Sequence, residues 1–419
     1  MEPAITPTVR EVIQYGWWTM TLFVWITGLC VGSFLNVVAW RLPQGASIVH
    51  PGSHCPKCDH VLHWWENIPI LSWLFLRGSC SNCGLPISLR YPIVELITGV
   101  IFFLVWLRIW FAVLPLSLLI GYGYLAAAIV AIAIIDYENL IIPNEITFTG
   151  VATALILAVV YPSSQFVGVT AVGGVASHRM LSNALEVIAL RAFPAAFASP
   201  RALALLNAFA GALFGLAILW MVLEAGRLVW GRQTVIPEEP EDLEITPEEI
   251  RIGEDLVDTW EYLLFRANDT VRIDVDSASL SCTPSCSSTS PKPPAPVTQI
   301  VVTQEGLKVG TDVVAWDDLE RIEGKVSKWT IPREVMGFGD VKMLAMVGAF
   351  LGPDACIFVL MLSAVAGTAV GVALVALRGR SRHAPIPFGP FLSLGTLAWM
   401  LSGTAFVDWY TRLVSALIQ

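Results

Sequence analysis

Gly337-Phe338-Gly339-Asp340-Val341-Lys342 is the stretch from which the chain is best read, because it sets an acid at the mouth of an apolar segment. Met343 to Gly352 follows directly and is apolar enough to enter a bilayer. A carboxylate at the centre of a membrane helix costs about 2.5–3.5 kcal/mol on insertion scales, so membrane chains keep such groups for a use. The two glycines permit backbone angles and close approaches that other residues block. An acid so placed calls for a partner, and the search for it organises the rest of the sequence.

At 419 residues, 55% hydrophobic and only 14% charged, the chain is not an ordinary soluble enzyme. Its mean hydropathy is +0.66. Apolar runs near residues 17–40, 93–114, 117–135, 146–162, 203–224, 341–352, 355–377 and 387–408 approach the roughly 20 residues that span a hydrocarbon core, the sixth being short. The expected fold is an all-α polytopic membrane protein of about eight transmembrane helices, with a small cytoplasmic zinc-knuckle module and an inserted cytoplasmic β-containing module. The expected divisions are residues 1–43 (first helix), 44–92 (zinc module), 93–232 (helices two to five), 233–333 (soluble insert) and 334–419 (helices six to eight). Met1 to Trp18 lacks a basic region and a small-residue cleavage site, so the first run reads as a retained span. The net charge of −9 comes mostly from residues 236 to 320, which makes acidity a property of the insert and gives no reason to expect nucleic acid.

The polar stretch 44–92 holds Cys55-Pro56-Lys57-Cys58 and Cys80-Ser81-Asn82-Cys83-Gly84. Two C-x-x-C turns each aim two sulfurs at one ion, so Cys55, Cys58, Cys80 and Cys83 suit a tetrahedral zinc site. Four protein ligands leave no open position, which makes the metal structural. His50, His54, His60 and His63 then read as surface or supporting residues. Cys30 and Cys356 stand singly in apolar runs, Cys282 and Cys286 lie in a Ser/Pro-rich tract, and no disulfide framework is indicated. Arg41, Lys57, Arg77 and Arg90 outnumber the acids of this loop and place it in the cytoplasm.

Counting spans from that loop brings the third back to the cytoplasmic face at Ile134-Ile135-Asp136, with Pro143 before the next helix. The loop Arg378 to His383 is dense in positive charge and gives the same orientation. Asp136 and Asp340 thereby share one face of the membrane. Alone, Asp136 reads more readily as one more interfacial acid, like Glu138 and Glu145, than as a catalytic group. Glu95 is either an interfacial carboxylate or a group facing the zinc module. Lys342 either stabilises negative charge or snorkels to headgroups. Ile386-Pro387-Phe388-Gly389-Pro390-Phe391 begins the last span in a way that leaves backbone groups unpaired unless they line a site.

The insert carries strand-like alternation at Thr270 to Val275 and Gln299 to Val309, the latter with a turn near Glu305-Gly306. A Ser/Cys/Thr/Pro tract from Ser277 to Pro296 between them reads as flexible, and Leu181 to Phe193 reads as an interfacial amphipathic helix. No chemistry attaches to the insert.

Two carboxyl groups that share a site do not both ionise easily, so one keeps a proton while the other acts as base. That is the requirement of an aspartic protease pair, with Asp136 and Asp340 as the catalytic candidates and Gly337, Gly339 and Lys342 as supports. Two other classes compete. A zinc-knuckle membrane scaffold would use the aspartates only for pairing, and a proton-coupled transporter would bury its acids near the midplane in repeated halves. Both acids lie at the membrane edge and no repeat is evident, which speaks against the transporter.

The residues also carry a resemblance. Gly32-Ser33-Phe34-Leu35-Asn36 with Arg41-Leu42-Pro43, the two knuckles, Asn67-Ile68-Pro69, Tyr91-Pro92 with Glu95, Asp136 with Ile142-Pro143-Asn144, Gly337 to Lys342 and Ile386 to Phe391 together resemble the type IV prepilin peptidases, the leader peptidase/N-methyltransferases. The resemblance implies a bacterial inner-membrane aspartic peptidase with its site on the cytoplasmic side. It implies that Asp136 and Asp340 cut prepilins and pseudopilins after a glycine, and that the N-terminal portion methylates the new amino terminus from S-adenosylmethionine. Two departures stand out: the long insert between the two aspartates, and Asp59 after the first knuckle, where glycine is common.

Overall fold

The computed structural model describes residues 9–112, 114–162, 188–189, 191–193, 199–230, 232–237, 239–253, 256–260, 264, 270–282, 299–303, 306–309, 312–316, 319–332, 337–378 and 386–418. Most of the expected Leu181–Phe193 helix and of the Arg378–His383 loop lies outside them. The chain divides into two compact units, Met1–Trp220 with Gly337–Gln419, and Met221–Met336.

The helices are α1 (Val9–Arg41), a short α2 (Leu71–Phe75), α3 (Arg90–Phe111), α4 (Leu118–Asn139), α5 (Asn144–Val160), α6 (Pro200–Trp230), α7 (Phe338–Leu351), α8 (Pro353–Arg378) and α9 (Gly389–Ile418). The eight long ones coincide with the eight apolar runs, although α1, α6 and α9 extend beyond them because the flanking residues continue helical hydrogen bonding past the apolar stretch. Among the described residues, five helical segments are long and apolar enough to cross a membrane: Gly16–Gln44, Arg90–Phe111, Leu118–Asn139, Pro200–Val229 and Pro353–Leu374. Leu22, Phe23, Leu213 and Val365 point outward and are each more than half exposed, as lipid-facing residues are.

Small residues let these helices approach closely. A Cβ on Gly28 would sit 2.9 Å from the Gly99 Cα, and one on Gly32 would sit 2.7 Å from the Glu95 Cα, so α1 and α3 pack nearly backbone to backbone. Trp106 fixes their register by donating from Nε1 to Thr21 Oγ1 at 2.8 Å. The same device joins α6 to α7, where a Cβ on Gly211 would fall 2.0 Å from the Gly348 carbonyl oxygen.

The second unit is an antiparallel sheet of nine strands: β1 Arg232–Val235, β2 Glu241–Ile245, β3 Glu249–Ile252, β4 Leu256–Thr259, β5 Val271–Cys282, β6 Gln299–Thr303, β7 Gly306–Val309, β8 Asp312–Val314 and β9 Leu319–Pro332. Its order is β4-β3-β2-β9-β5-β6-β7-β8, with β1 also paired to β9. Arg232 lies opposite Pro332, so the sheet begins and ends side by side, the arrangement a domain inserted in a loop requires. The β6–β7 hairpin falls where the alternation placed it. Ser277 to Cys282, however, are not part of a flexible tract: they extend β5 and pair with β9, Ala278 opposite Gly324 and Leu280 opposite Ile322. The long β9 supplies a partner that local composition does not reveal. Ile245, Ile250, Ile273, Val302, Ile322 and Trp329 form the core of this unit.

Candidate active site

Asp136 occupies the last turn of α4. The helix stops at Leu140, which adopts a left-handed φ of 56° and returns its N–H to the Asp136 carbonyl at 2.9 Å. Asp340 occupies the first turn of α7, three residues after the N-cap Gly337. Both side chains are buried, at 6% exposure each, and their carboxyl groups lie within Coulombic range of one another.

Three contacts build this junction. A Cβ on Gly339 would sit 2.8 Å from the Ile142 Cβ, so glycine is what lets the start of α7 lie against the segment after α4. The Gly389 N–H, at the start of α9, donates to Asp136 Oδ2 at 2.8 Å, and Ser393 on the next turn donates to the Ile129 carbonyl at 2.9 Å. Lys342 donates to Asn144 Oδ1 and sits over the Phe338 and Phe148 rings, at 5.7 and 6.0 Å from their centroids. Asp340 Oδ1 is buried with no hydrogen-bond partner among the described residues. That oxygen is the site's unspent polar capacity, since buried carboxyl oxygens are seldom left unpaired.

These contacts refine the expectations. Gly339 has a demonstrable steric reason. Gly337 does not: its φ is −68° and a Cβ there would meet only ordinary contacts. Lys342 does not simply snorkel, since Asn144 holds its ammonium. Gly389 has a role that its motif alone does not announce, and the signal that points to it is the Pro387-Phe388-Gly389-Pro390 opening, which has backbone groups to spare.

The four knuckle sulfurs converge. All lie within 4.8 Å of one another, with Cys55 Sγ 3.7 Å from Cys83 Sγ and Cys58 Sγ 4.0 Å from Cys80 Sγ. A tetrahedron of thiolates at about 2.3 Å from zinc has edges of about 3.8 Å, so the donor set fits that ion. The knuckles are built alike. Cys55 and Cys80 accept from Asp59 N and Gly84 N, both at 3.0 Å, and those two residues share left-handed φ values of 52° and 69°. Asp59 thus stands in a turn position that glycine fills without strain. Glu66 braces the module. The Ser81 hydroxyl, the His63 N–H and His60 hold its carboxyl well below the usual range, at about 2. His60 and His63 belong to that brace and not to the four-sulfur shell.

Comparison with known proteins follows the same division. Residues 26–109 match the bacterial peptidase A24 N-terminal domain, and residues 322–372 match the type IV leader peptidase family. A prepilin leader peptidase/N-methyltransferase of Aeromonas hydrophila is 24% identical over 422 residues, covering 94% of both chains. The chain is similar to members of this family along nearly its whole length. A Burkholderia pseudomallei relative with the same designation is 27% identical over 92% of this chain and 86% of its own. One from Myxococcus xanthus is 48% identical over 139 residues, which is 33% of this chain and 40% of that protein. No solved structure matches. The leader peptidase match contains Gly337 to Lys342, and the N-terminal match contains all four cysteines.

Proposed function

We propose that the protein cleaves the leader of type IV prepilins or pseudopilins with Asp136 and Asp340 as an aspartic pair. The observation that carries this is that two buried carboxyl groups at the junction of α4 and α7 lie within Coulombic range of one another, one anchored by Gly389 and one with an oxygen that has no hydrogen-bond partner among the described residues. Homologues designated prepilin leader peptidase/N-methyltransferase support prepilin processing by the chain.

Such a pair shares one proton and needs neither a nucleophilic side chain nor a metal at the reacting carbon. The Gly389 N–H donates to Asp136 Oδ2, a bond stronger to a carboxylate than to the acid, so in this reading Asp136 takes the role of base and removes a proton from water. Asp340 carries the shared proton and donates it as a hydrogen bond to the scissile carbonyl. The hydroxide equivalent adds to that carbon, the peptide C–N bond breaks, and the new amine leaves with a proton from the pair. Lys342, held by Asn144, supplies positive charge beside the site. Zinc in the Cys55, Cys58, Cys80 and Cys83 set is structural in this reading.

In the full reading all eight long helices cross the bacterial inner membrane, with the aspartates and the zinc module at the cytoplasmic face. The new N-terminus is then methylated from S-adenosylmethionine by the N-terminal portion. The test is mass spectrometry of a hydrophobic prepilin peptide incubated with purified protein and methyl donor. Wild type should release the leader and add the mass of a methyl group. Asp136→Asn and Asp340→Asn should release nothing while remaining folded; if they cleave normally, the scaffold reading replaces this one.

A further inference from the structure

The peptidase chemistry leaves several motif residues without a task, and they converge on one cavity. It has a volume of about 260 Å³ and lies between the C-terminal half of α1 and the segments 48–53 and 67–69. Cys30, Ser33, Phe34, Val37 and Arg41 present one face of α1 to it, at the three- and four-residue spacing of a helical stripe. Arg41 folds the opposite wall over that face by donating to the carbonyls of Ser47, Pro51 and Gly52 at 3.1, 2.7 and 3.4 Å.

The remaining wall is held by a buried acid. Glu95 is 8% exposed, and its Oε2 accepts from Ile70 N at 2.7 Å. Ile70 adopts φ 61° and ψ −49°, and Leu71 N returns to the Pro69 carbonyl at 2.6 Å. That is a tight turn of the strained hand, at a β-branched residue that rarely accepts it. Strain of this kind persists where the surroundings over-determine it, and such places cluster at ligand sites. Here the turn holds Asn67 and Pro69 on the cavity wall. Ser33 on the cavity wall also interacts with the Glu95 carboxyl, so an acid stands close behind that wall. Gly32, Ser33, Arg41, Asn67, Pro69 and Glu95 are thus parts of one construction.

We propose that this cavity is the binding site for the methyl donor S-adenosylmethionine. The proposal rests on the methyltransferase reading above and gives it a place. The donor is amphipathic and cationic, with a flat adenine, a sulfonium and a charged amino-acid end. The cavity offers the apolar surface of Phe34 and Val37, polar groups on Ser33, Arg41 and Asn67, and the buried Glu95 carboxyl behind Ser33. It lies within residues 26–109, the segment matching the family's N-terminal domain, and shares no residue with the α4–α7 junction. When bound, the donor supplies an electrophilic methyl group. The substrate amine forms the new N–C bond, the C–S bond breaks with its electrons on sulfur, and the surplus proton leaves nitrogen for water.

The test uses the full chain in nanodiscs and radiolabelled S-adenosylmethionine, read by equilibrium binding and by ultraviolet crosslinking with peptide mapping. Wild type should bind, and its label should map to residues within 30–53 or 67–69. Val37→Trp and Ile48→Trp, which fill the cavity from opposite walls, should weaken binding at least tenfold, with zinc content as the fold check. If wild type binds and methylates but the label maps elsewhere and both variants bind normally, the cavity proposal fails while the methyltransferase reading stands. If wild type neither binds nor methylates, the methyltransferase reading itself fails. Should both variants misfold, the wild-type crosslink decides alone.

Discussion

Gly389→Ala isolates the least expected element of the candidate site. The substitution builds a Cβ 2.8 Å from Asp136 Oδ2, 3.1 Å from Cγ and 3.2 Å from Cβ. Ordinary contacts begin near 3.4 Å. Either the carboxylate or the first turn of α9 must therefore move by roughly half an ångström, and the 2.8 Å hydrogen bond stretches or breaks. A hydrogen bond to a charged group is worth about 1.5–3 kcal/mol, which corresponds to roughly a 10- to 150-fold loss in rate if the bond serves the transition state. The assay is initial-rate cleavage of a prepilin peptide, with helical circular dichroism and bound zinc as fold controls. Gly16→Ala, where an added Cβ meets nothing within 4 Å, should stay within about twofold of wild type. Gly389→Ala with more than half of wild-type activity would refute the claim that this N–H orients Asp136.

Further expectations concern other parts of the molecule. Cys55→Ser or Cys80→Ser should abolish stoichiometric zinc and open residues 53–86 to proteolysis, as measured by metal analysis and limited digestion; retained zinc would contradict a four-sulfur site. Asp59→Gly should stabilise the module by about 1 kcal/mol, because glycine adopts the φ of 52° without the strain of a side chain, and the denaturant midpoint of zinc release would report it. Glu66→Gln should destabilise the module by the same amount throughout pH 5 to 8. The folded carboxyl sits at about 2 against an ordinary 4.5, so its contribution is complete above 4.5 and fades only as pH falls toward 2. A difference that varied within pH 5 to 8, followed by hydrogen exchange at the His63 amide, would point to another group. Gly348→Leu should prevent the close crossing of α6 and α7, where the Gly211 carbonyl oxygen lies 2.1 Å from the position of an added Cβ. The protein should then fail to accumulate as a monodisperse species.

The membrane helices were legible because length and hydropathy act over whole turns and need no partner. The knuckles were legible because two-residue spacing alone fixes where the sulfurs point. Asp340 could be singled out by its cost in an apolar setting, and Asp136 by the count of spans that returns it to the same face. What the sequence could not show depends on partners distant along the chain. Gly389 donates to Asp136 from 253 residues away, and no local pattern announces that bond. Gly339 matters for Ile142, not for its own backbone freedom, while Gly337 in the same motif has no such neighbour. Ser277 to Cys282 have the composition of a linker and become strand only because β9 lies alongside. Glu95, which sequence left between interfacial and functional, braces the strained turn at Ile70.

The most direct test of the aspartic pair is its non-additivity. Two groups that share one proton and one water act as a unit, so removing either removes the chemistry. Single-turnover cleavage should be measured for Asp136→Asn, Asp340→Asn and the double variant under identical conditions. Each single variant is expected to lose at least about a thousandfold, and the double variant to be no slower than either. A single variant within tenfold of wild type, or losses that multiply in the double variant, would contradict a shared catalytic pair.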